Sequence, residues 1–300
     1  MATVYTHIGD NKRRSAFLVL IFVAFIIGLG YVFAKALDVY WLFPLAILIA
    51  SVQAIASYWW SDKMVLAISG AKMVDRKNNQ ELYRIVENMA ISAGLPTPKI
   101  YLIEDSAPNA FATGRDPKHA VVCVTSGILE KLKKQELEGV IAHELSHVGN
   151  YDIRLATIVV ILVGIVVLIS DWFLRMSFFA GGDDDNNSGN QWAFVVGLVL
   201  AILAPLFAVL MQLALSRKRE YLADSDAALL TRNPEGLAKA LEIISADQEP
   251  LEAANKATAH LYIADPMKEL KGSPRGWFSG LFATHPPIEE RVKRLREMGR

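Results

Sequence analysis

Four apolar blocks constrain this chain more than any other feature of its sequence. They run from Ser15 to Ala34, Val39 to Trp60, Leu155 to Ser170 and Trp192 to Leu215. A helix needs about 20 apolar residues to cross a bilayer, because the hydrocarbon core is roughly 30 Å thick and each residue rises about 1.5 Å. The third block reaches that length only if Asp171 or Trp172 lies in the interface. We therefore predict an integral membrane protein with about four transmembrane helices.

Aromatic and basic residues at the ends of the blocks predict how the chain is oriented. Tyr40, Trp41, Trp172 and Trp192 lie where headgroup-level anchors are expected. Under the positive-inside rule, one side of the membrane is marked as cytoplasmic by a basic group before the first block, a lysine after the second and a basic group after the fourth. These residues are Lys12, Arg13, Arg14, Lys63, Arg217, Lys218 and Arg219.

Both long polar regions therefore lie on the cytoplasmic side, where they can form one domain. We predict two transmembrane helices in residues 1–60 and the first half of a catalytic domain in 61–154. A transmembrane hairpin with an acidic loop follows in 155–215, and the second half of the domain lies in 216–300. The formal net charge is zero, so nothing indicates a nucleic-acid partner. The lone cysteine, Cys123, cannot form an internal disulfide.

The polar regions predict helices around a small sheet. Apolar residues at helical spacing indicate a helix before Gly94. Short strands are predicted in "KIYLIED", "NAFATG" and "AVVCVT", and the turn-rich "GRDPKH" indicates that the last two pair as a hairpin. A further helix breaks at 149–150, and others follow the fourth block and Thr284. The fold class is mainly α with a small β-sheet, an α+β domain fused to the membrane helices.

The stretch "AHELSH" carries the chemistry of a metal site. His143 and His147 are four residues apart, so their rings lie on one face of a helix and can bind one zinc ion. Glu144 follows a ligand but points elsewhere, which suits a general base. The alternative is a helix with a solvated polar face. The surrounding apolar residues disfavour it, because buried His and Glu need partners.

A hydrolytic zinc site needs a third protein ligand and an open position for water. The best candidate is Glu220 in "RKREYLADSDA", and Asp224 lies one turn later, where it can orient a ligand histidine. Without the histidine motif, a charged membrane-proximal helix would be the simpler interpretation of this segment.

These motifs, in this order, resemble the HtpX-type membrane metalloproteases, bacterial relatives of the CAAX prenyl endopeptidases. "APNAFATG" (Ala107–Gly114) and "THPPIEERV" (Thr284–Val292) are also similar to that family. The resemblance implies a zincin-like, gluzincin-type zinc metalloendopeptidase with one zinc ion per chain. His143, His147 and Glu220 would be the metal ligands and Glu144 the catalytic base.

The resemblance also implies roles for several other residues. Asn109, Ala110 and Phe111 would lie on the edge strand of the active-site cleft, where an extended substrate can add as another strand. An ordinary hairpin strand is the alternative. His285 would donate to the developing oxyanion or belong to a helix entry. Asn150 would take a supporting role in the site or only end its helix.

The position of Glu220 predicts where the site lies. It follows Leu215 by five residues, which places it roughly 7–8 Å beyond the membrane edge if the helix continues. The expected substrates are membrane proteins or unfolded polypeptides, cleaved at the cytoplasmic face of the inner membrane in quality control and stress response. The alternatives are a non-catalytic zinc-binding membrane scaffold and a prenyl-protein processing protease. No oligomeric state is predicted.

Overall fold

The structure is a computed structural model that describes residues 4–36, 40–165, 217–254, 258–264, 266 and 286–299. These residues are mainly helical with one small mixed sheet, as the sequence predicts. The fourth apolar block and the acidic loop lie outside them. The helices are α1 Val4–Ala36, α2 Leu42–Trp59, α3 Ser61–Ile68, α4 Gln80–Ser92, α5 Ser126–Lys131, α6 Lys134–Gly149, α7 Asp152–Ile165, α8 Arg217–Thr231, α9 Pro234–Ala246 and α10 Ile288–Met298.

The sheet has four strands in the order β1-β2-β4-β3. They are β1 Lys72–Met73, β2 Lys99–Ile103, β3 Ala110–Thr113 and β4 Val121–Thr125. Strand β4 is parallel to β2 and antiparallel to β3, with Ala110 opposite Val124 and Thr113 opposite Val121. The predicted hairpin is thereby confirmed. Because β4 is buried on both faces, all of its residues are apolar or small, and β3 lies at the edge of the sheet.

One hydrophobic core joins the sheet to helices from both polar regions. Helix α6 is central in it, and its backbone closely approaches that of α9. A Cβ atom at Gly139 would lie 2.8 Å from the backbone nitrogen of Leu237, so only glycine fits at this crossing. The core side chains come from α4, the sheet, α6, α9 and α10, and include Ile85, Val86, Ile100, Val122, Val124, Val140, Ile141, Leu145, Leu241, Ile244 and Leu295. The domain boundaries predicted from the sequence stay a prediction.

Helix α6 ends where the sequence predicts a break. The Asn150 N–H still bonds to the Ser146 carbonyl, at 2.9 Å, but Tyr151 has a φ of 60°. That left-handed conformation is uncommon for a residue with a side chain, and here it turns the chain sharply into α7. The axes of α6 and α7 differ by 83°. The next residue, Asp152, is thereby turned back toward the end of α6.

Among the described residues, no single helix is long and apolar enough to cross a bilayer. Two bent pairs qualify on length and composition alone: Phe43–Trp59 with Ser61–Ile68, and Lys134–Gly149 with Asp152–Ile165. The four transmembrane helices therefore stay a prediction.

Candidate metal centre and active site

Helices α6 and α8 bring three potential metal ligands together. The helical repeat places His143 and His147 one turn apart, and their Nε2 atoms lie 3.2 Å from each other. Glu220 of α8 faces both rings. Its Oε2 lies 3.7 Å from His143 Nε2, and its Oε1 lies 3.5 Å from His147 Nε2. The structure thus brings together the three ligands implied by the sequence.

The spacing of these atoms matches a zinc site. With bond lengths of about 2.0–2.1 Å and tetrahedral angles, neighbouring ligand atoms lie about 3.3–3.4 Å apart. The two imidazole nitrogens, 3.2 Å apart, and the distances from them to the nearer Glu220 oxygen in each case, 3.5 and 3.7 Å, lie close to that value. Three protein ligands leave one tetrahedral position for water or substrate, as in catalytic zinc sites. The residues can therefore hold a metal ion.

Each histidine turns its other ring nitrogen toward a carboxylate. His147 Nδ1 donates to Asp152 Oδ2 at 3.1 Å, which assigns the tautomer that keeps Nε2 available for a metal. His143 Nδ1 lies 3.0 Å from Asp224 Oδ1, although the N–H direction falls outside hydrogen-bond geometry. Carboxylates in these positions fix the orientation of ligand rings. The sequence predicted this role for Asp224 but not for Asp152.

The environment of His147 favours its charged form when no metal is bound. Burial lowers the pKa of His147, but the Asp152 hydrogen bond and the Glu220 charge outweigh burial and raise the pKa to about 9. A cation is thus favoured at this position, and a metal ion must displace the proton in order to bind.

Glu144 is buried beside the three ligands, with 2% of its surface exposed. Burial raises the pKa of this carboxyl to about 7; the charge of His147 and the backbone N–H of Ala112 oppose the rise, and Glu220 adds to it. A pKa near neutrality is what a general base requires, because the group must both take and return a proton. Glu144 lines the same small cavity as the ligand residues.

Arg291 of α10 is a member of this site that the sequence reasoning missed. Its side chain is fully buried, and it donates to both carboxylate oxygens of Asp224, from Nε at 2.9 Å and from Nη2 at 2.7 Å. Its Nη1 lies 3.6 Å from Glu220 Oε2, and its Nη2 lies 3.4 Å from His143 Nε2. The guanidinium therefore borders the metal-binding atoms and balances the charges of the buried Asp224 and the half-buried Glu220.

A sequence signal for Arg291 exists but is weak. Helix α10 carries several cations, and its apolar residues Ile288, Val292 and Leu295 follow the helical repeat. Arg291 lies between them on the buried face, whereas Arg294 is exposed. Only this position in the pattern distinguishes the two arginines.

Strand β3 is an edge strand, but its outer edge is partly occupied. The Ala110 carbonyl accepts from the Ile263 N–H at 3.0 Å, and the Ala110 N–H donates to Asn109 Oδ1 at 3.1 Å. The Asn109 amide in turn donates to the Ala264 carbonyl, and Phe111 is fully buried. The backbone groups expected to be unpaired at Ala110 are therefore engaged by the chain itself. A substrate-binding role for Asn109, Ala110 and Phe111 stays a prediction.

Three further residues complete the account of the sequence predictions. Asn150 ends α6, and its side-chain amide donates to Ser146 Oγ at 3.2 Å and to Asp226 Oδ2 at 3.3 Å. His285 lies outside the described residues. His260 has no motif partner in the sequence, yet it lines the cavity beside Glu144. Nothing in the sequence around His260 indicated that position.

Comparison with known proteins identifies the family. The model described as Peptidase family M48 matches residues 76–299, which include His143, Glu144, His147 and Glu220. The chain belongs to peptidase family M48. It is 45% identical over 296 residues to a "Protease HtpX homolog" of Tropheryma whipplei strain Twist, and the alignment covers 99% of both chains. The resemblance to HtpX-type proteases is thereby confirmed.

Other M48 relatives extend the similarity. A "Protease HtpX homolog" of Dictyoglomus thermophilum is 45% identical, covering 99% of this chain and 95% of its own. One from Listeria monocytogenes serotype 4a is 42% identical, covering 98% of this chain and all of its own. The crystal structure of S. mikatae Ste24p matches with a TM-score of 0.50 and 18% identity, over 95% of this chain and 65% of that one. That likeness concerns the fold alone.

Proposed function

We propose that this M48 peptidase is a zinc-dependent endopeptidase that cleaves membrane proteins or misfolded polypeptides at the cytoplasmic surface of the membrane. The observation that carries the proposal is the buried Glu144 carboxylate beside three residues spaced to hold zinc. A structural zinc site has four protein ligands, whereas the group found among the described residues has three. This difference favours catalysis over a zinc-binding scaffold.

Peptide hydrolysis follows from the placement of these residues. His143, His147 and Glu220 would hold zinc, which supplies Lewis-acid polarisation of the scissile carbonyl and acidifies the attacking water. Glu144 takes a proton from that water as its oxygen bonds to the carbonyl carbon. The same carboxyl then gives the proton to the amide nitrogen as the C–N bond breaks. The Ala112 N–H favours the charged form of this carboxylate, which is the form that accepts the proton.

The membrane location rests on apolar surface as well as on the blocks. Helices α1 and α2 expose large apolar side chains, among them Phe17, Leu20, Leu48 and Val52. An apolar patch of this kind marks a membrane or protein contact. His147 precedes the third apolar block by eight residues, so the metal site lies close to any membrane that the block enters. Protein segments that emerge from the bilayer are therefore the favoured substrates.

The decisive experiment measures zinc content and cleavage together. The full-length chain, purified in detergent, is compared with Glu144→Gln on an unfolded membrane-protein substrate. Both proteins are expected to carry about one zinc ion per chain, and the mutant to lose about 100-fold or more in cleavage rate. Glu138→Gln is the matched control, because Glu138 lies on the same helix and pairs only loosely with Lys134, at 4.0 Å.

Two results would contradict the proposal. A wild-type protein that binds no zinc has no metal-dependent mechanism, and a Glu144→Gln protein that cleaves normally has another base.

A prenylated peptide and its unprenylated twin should be cleaved at similar rates. Strict dependence on the prenyl group would instead indicate the prenyl-processing alternative.

A further inference from the structure

The N-terminal helix touches the turn next to the metal centre. Asn11 of α1 is buried, and its side-chain nitrogen donates to two acceptors, Asp152 Oδ1 at 2.7 Å and the Asn150 carbonyl at 2.9 Å. A side-chain amide carries two N–H groups, so both are used. These bonds join segments about 140 residues apart in the sequence.

Asp152 connects Asn11 to a metal ligand through hydrogen bonds. One of its oxygens accepts from Asn11, and the other accepts from His147 Nδ1 at 3.1 Å. The Arg219 guanidinium lies 3.6 Å from the first oxygen and offsets its charge. A carboxylate anchored on one side presents its second oxygen in a fixed direction, which in turn fixes the imidazole ring.

The turn between α6 and α7 needs such an anchor. Tyr151 has a φ of 60°, a strained conformation for a residue with a side chain that persists only where the surroundings hold it. Asn11 bonds to the residues on both sides of Tyr151. The Tyr151 ring also lies under two cations, Lys12 at 4.2 Å and Arg154 at 5.3 Å. Helix α1 therefore supplies both a hydrogen-bond clamp and a charge that hold this turn.

We propose that Asn11 is a positioning residue that holds Asp152, and through it the ligand His147, so that the metal site is complete only when α1 is docked on the α6–α7 turn. This inference rests on the proposed zinc site and adds a residue outside the segment matched by the family model. It also gives the first apolar block a function beyond anchoring, because undocking α1 weakens metal binding.

The test measures metal affinity rather than cleavage. The full-length chain in detergent is stripped of metal and titrated with Zn²⁺ against a chromophoric chelator, and with Co²⁺ while the visible spectrum is recorded. Removing a residue that orients a ligand lowers metal affinity about 10- to 100-fold. Asn11 contacts the ligand His147 only through Asp152, so a loss of about 10-fold is expected for Asn11→Ala. The Co²⁺ spectrum should change as well. Ser15→Ala is the matched control, because Ser15 is buried one turn along α1 and bonds to the Asn11 carbonyl.

A double-mutant cycle separates positioning from a general structural effect. If Asn11 acts through Asp152, Asn11→Ala causes little further loss of Zn²⁺ affinity in an Asp152→Ala background. Equal losses in both backgrounds would overturn the inference, and so would an Asn11→Ala protein with wild-type affinity and spectrum. If Asn11→Ala does not fold, the near-isosteric Asn11→Leu is judged by the same outcomes. A wild type without zinc would defeat the proposed function itself, whereas these other results defeat only the role of Asn11.

Discussion

The buried Arg291–Asp224 pair gives the sharpest prediction of stability. Replacing Arg291 by alanine removes two charged hydrogen bonds of 2.9 and 2.7 Å and leaves the Asp224 carboxylate buried without its main partner. Breaking one half of a buried ion pair costs about 3–5 kcal/mol, because the remaining charge is desolvated and unpaired. For a domain of 150–250 residues this corresponds to a fall of about 6–20 °C in melting temperature.

Arg294 provides the matched control on the same helix. It pairs with Glu290 one turn away at 2.7 Å, but both side chains are more than 40% exposed. Exposed pairs of this spacing contribute about 0.3–0.5 kcal/mol, and the contact of Arg294 with the Tyr221 ring, 3.8 Å from its centroid, adds about 0.5–1 kcal/mol. Arg294→Ala should therefore lower the melting temperature by no more than about 6 °C. Thermal unfolding is followed in detergent with a metal chelator present, because bound zinc would raise the apparent stability by mass action.

Two results would refute this reasoning about Arg291. The first is a loss of stability no greater than that of Arg294→Ala. The second concerns coupling: the double variant Asp224→Asn, Arg291→Met should lose less stability than the two single changes added together, because neither charge is then left alone. Strict additivity would show that the guanidinium and the carboxylate do not stabilise each other.

Three further predictions concern the core and the response to acid. Gly139→Ala should destabilise the protein because its Cβ would lie 2.8 Å from the Leu237 nitrogen, whereas Gly149→Ala, with its nearest neighbour at 3.7 Å, should be neutral or stabilising in the same melting assay. Burial raises the pKa of Asp224, but its charged partners outweigh burial and lower the pKa to about 2. The ionised carboxylate therefore stabilises the folded state fully above about pH 4, and this stabilisation is lost as the pH falls toward 2. That loss should amount to about 2 kcal/mol in acid unfolding curves, and a flat curve would contradict it. Burial also raises the pKa of the Cys123 thiol, so alkylation should require unfolding, and rapid labelling of the native chain would refute this.

The sequence was most informative where a pattern is local. The helical repeat alone placed His143 and His147 on one face, and a turn-rich segment between two apolar runs predicted the β3–β4 hairpin. Glu220 was a less local prediction, because the segment around it suggested a metal ligand only once the distant histidine motif required a third one. For the two histidines and the hairpin the evidence lies within a few residues, which is the range over which backbone geometry dictates side-chain placement.

Asn11 and Arg291 were not predictable in this way. In the sequence, Asn11 is one polar residue beside a basic cluster. Arg291 is one of several cations on an amphipathic helix. Their functions arise from contacts across about 140 and 67 residues of sequence, which depend on how distant helices pack. A window of sequence contains the residue but not the partner that gives it a role.

Arg291 also connects the metal centre to the wall of the cleft. Besides Asp224, its Nη1 donates to the Ile263 carbonyl at 3.1 Å, while the Ile263 N–H bonds to the Ala110 carbonyl on β3. One buried cation thus holds both the carboxylate beside His143 and the segment that covers part of the sheet edge. An extended substrate cannot pair with Ala110 while Ile263 is bound there. Further along β3, the Ala112 N–H favours the charged form of the Glu144 carboxylate. The edge strand is thus engaged by Ile263 at Ala110 and faces Glu144 at Ala112.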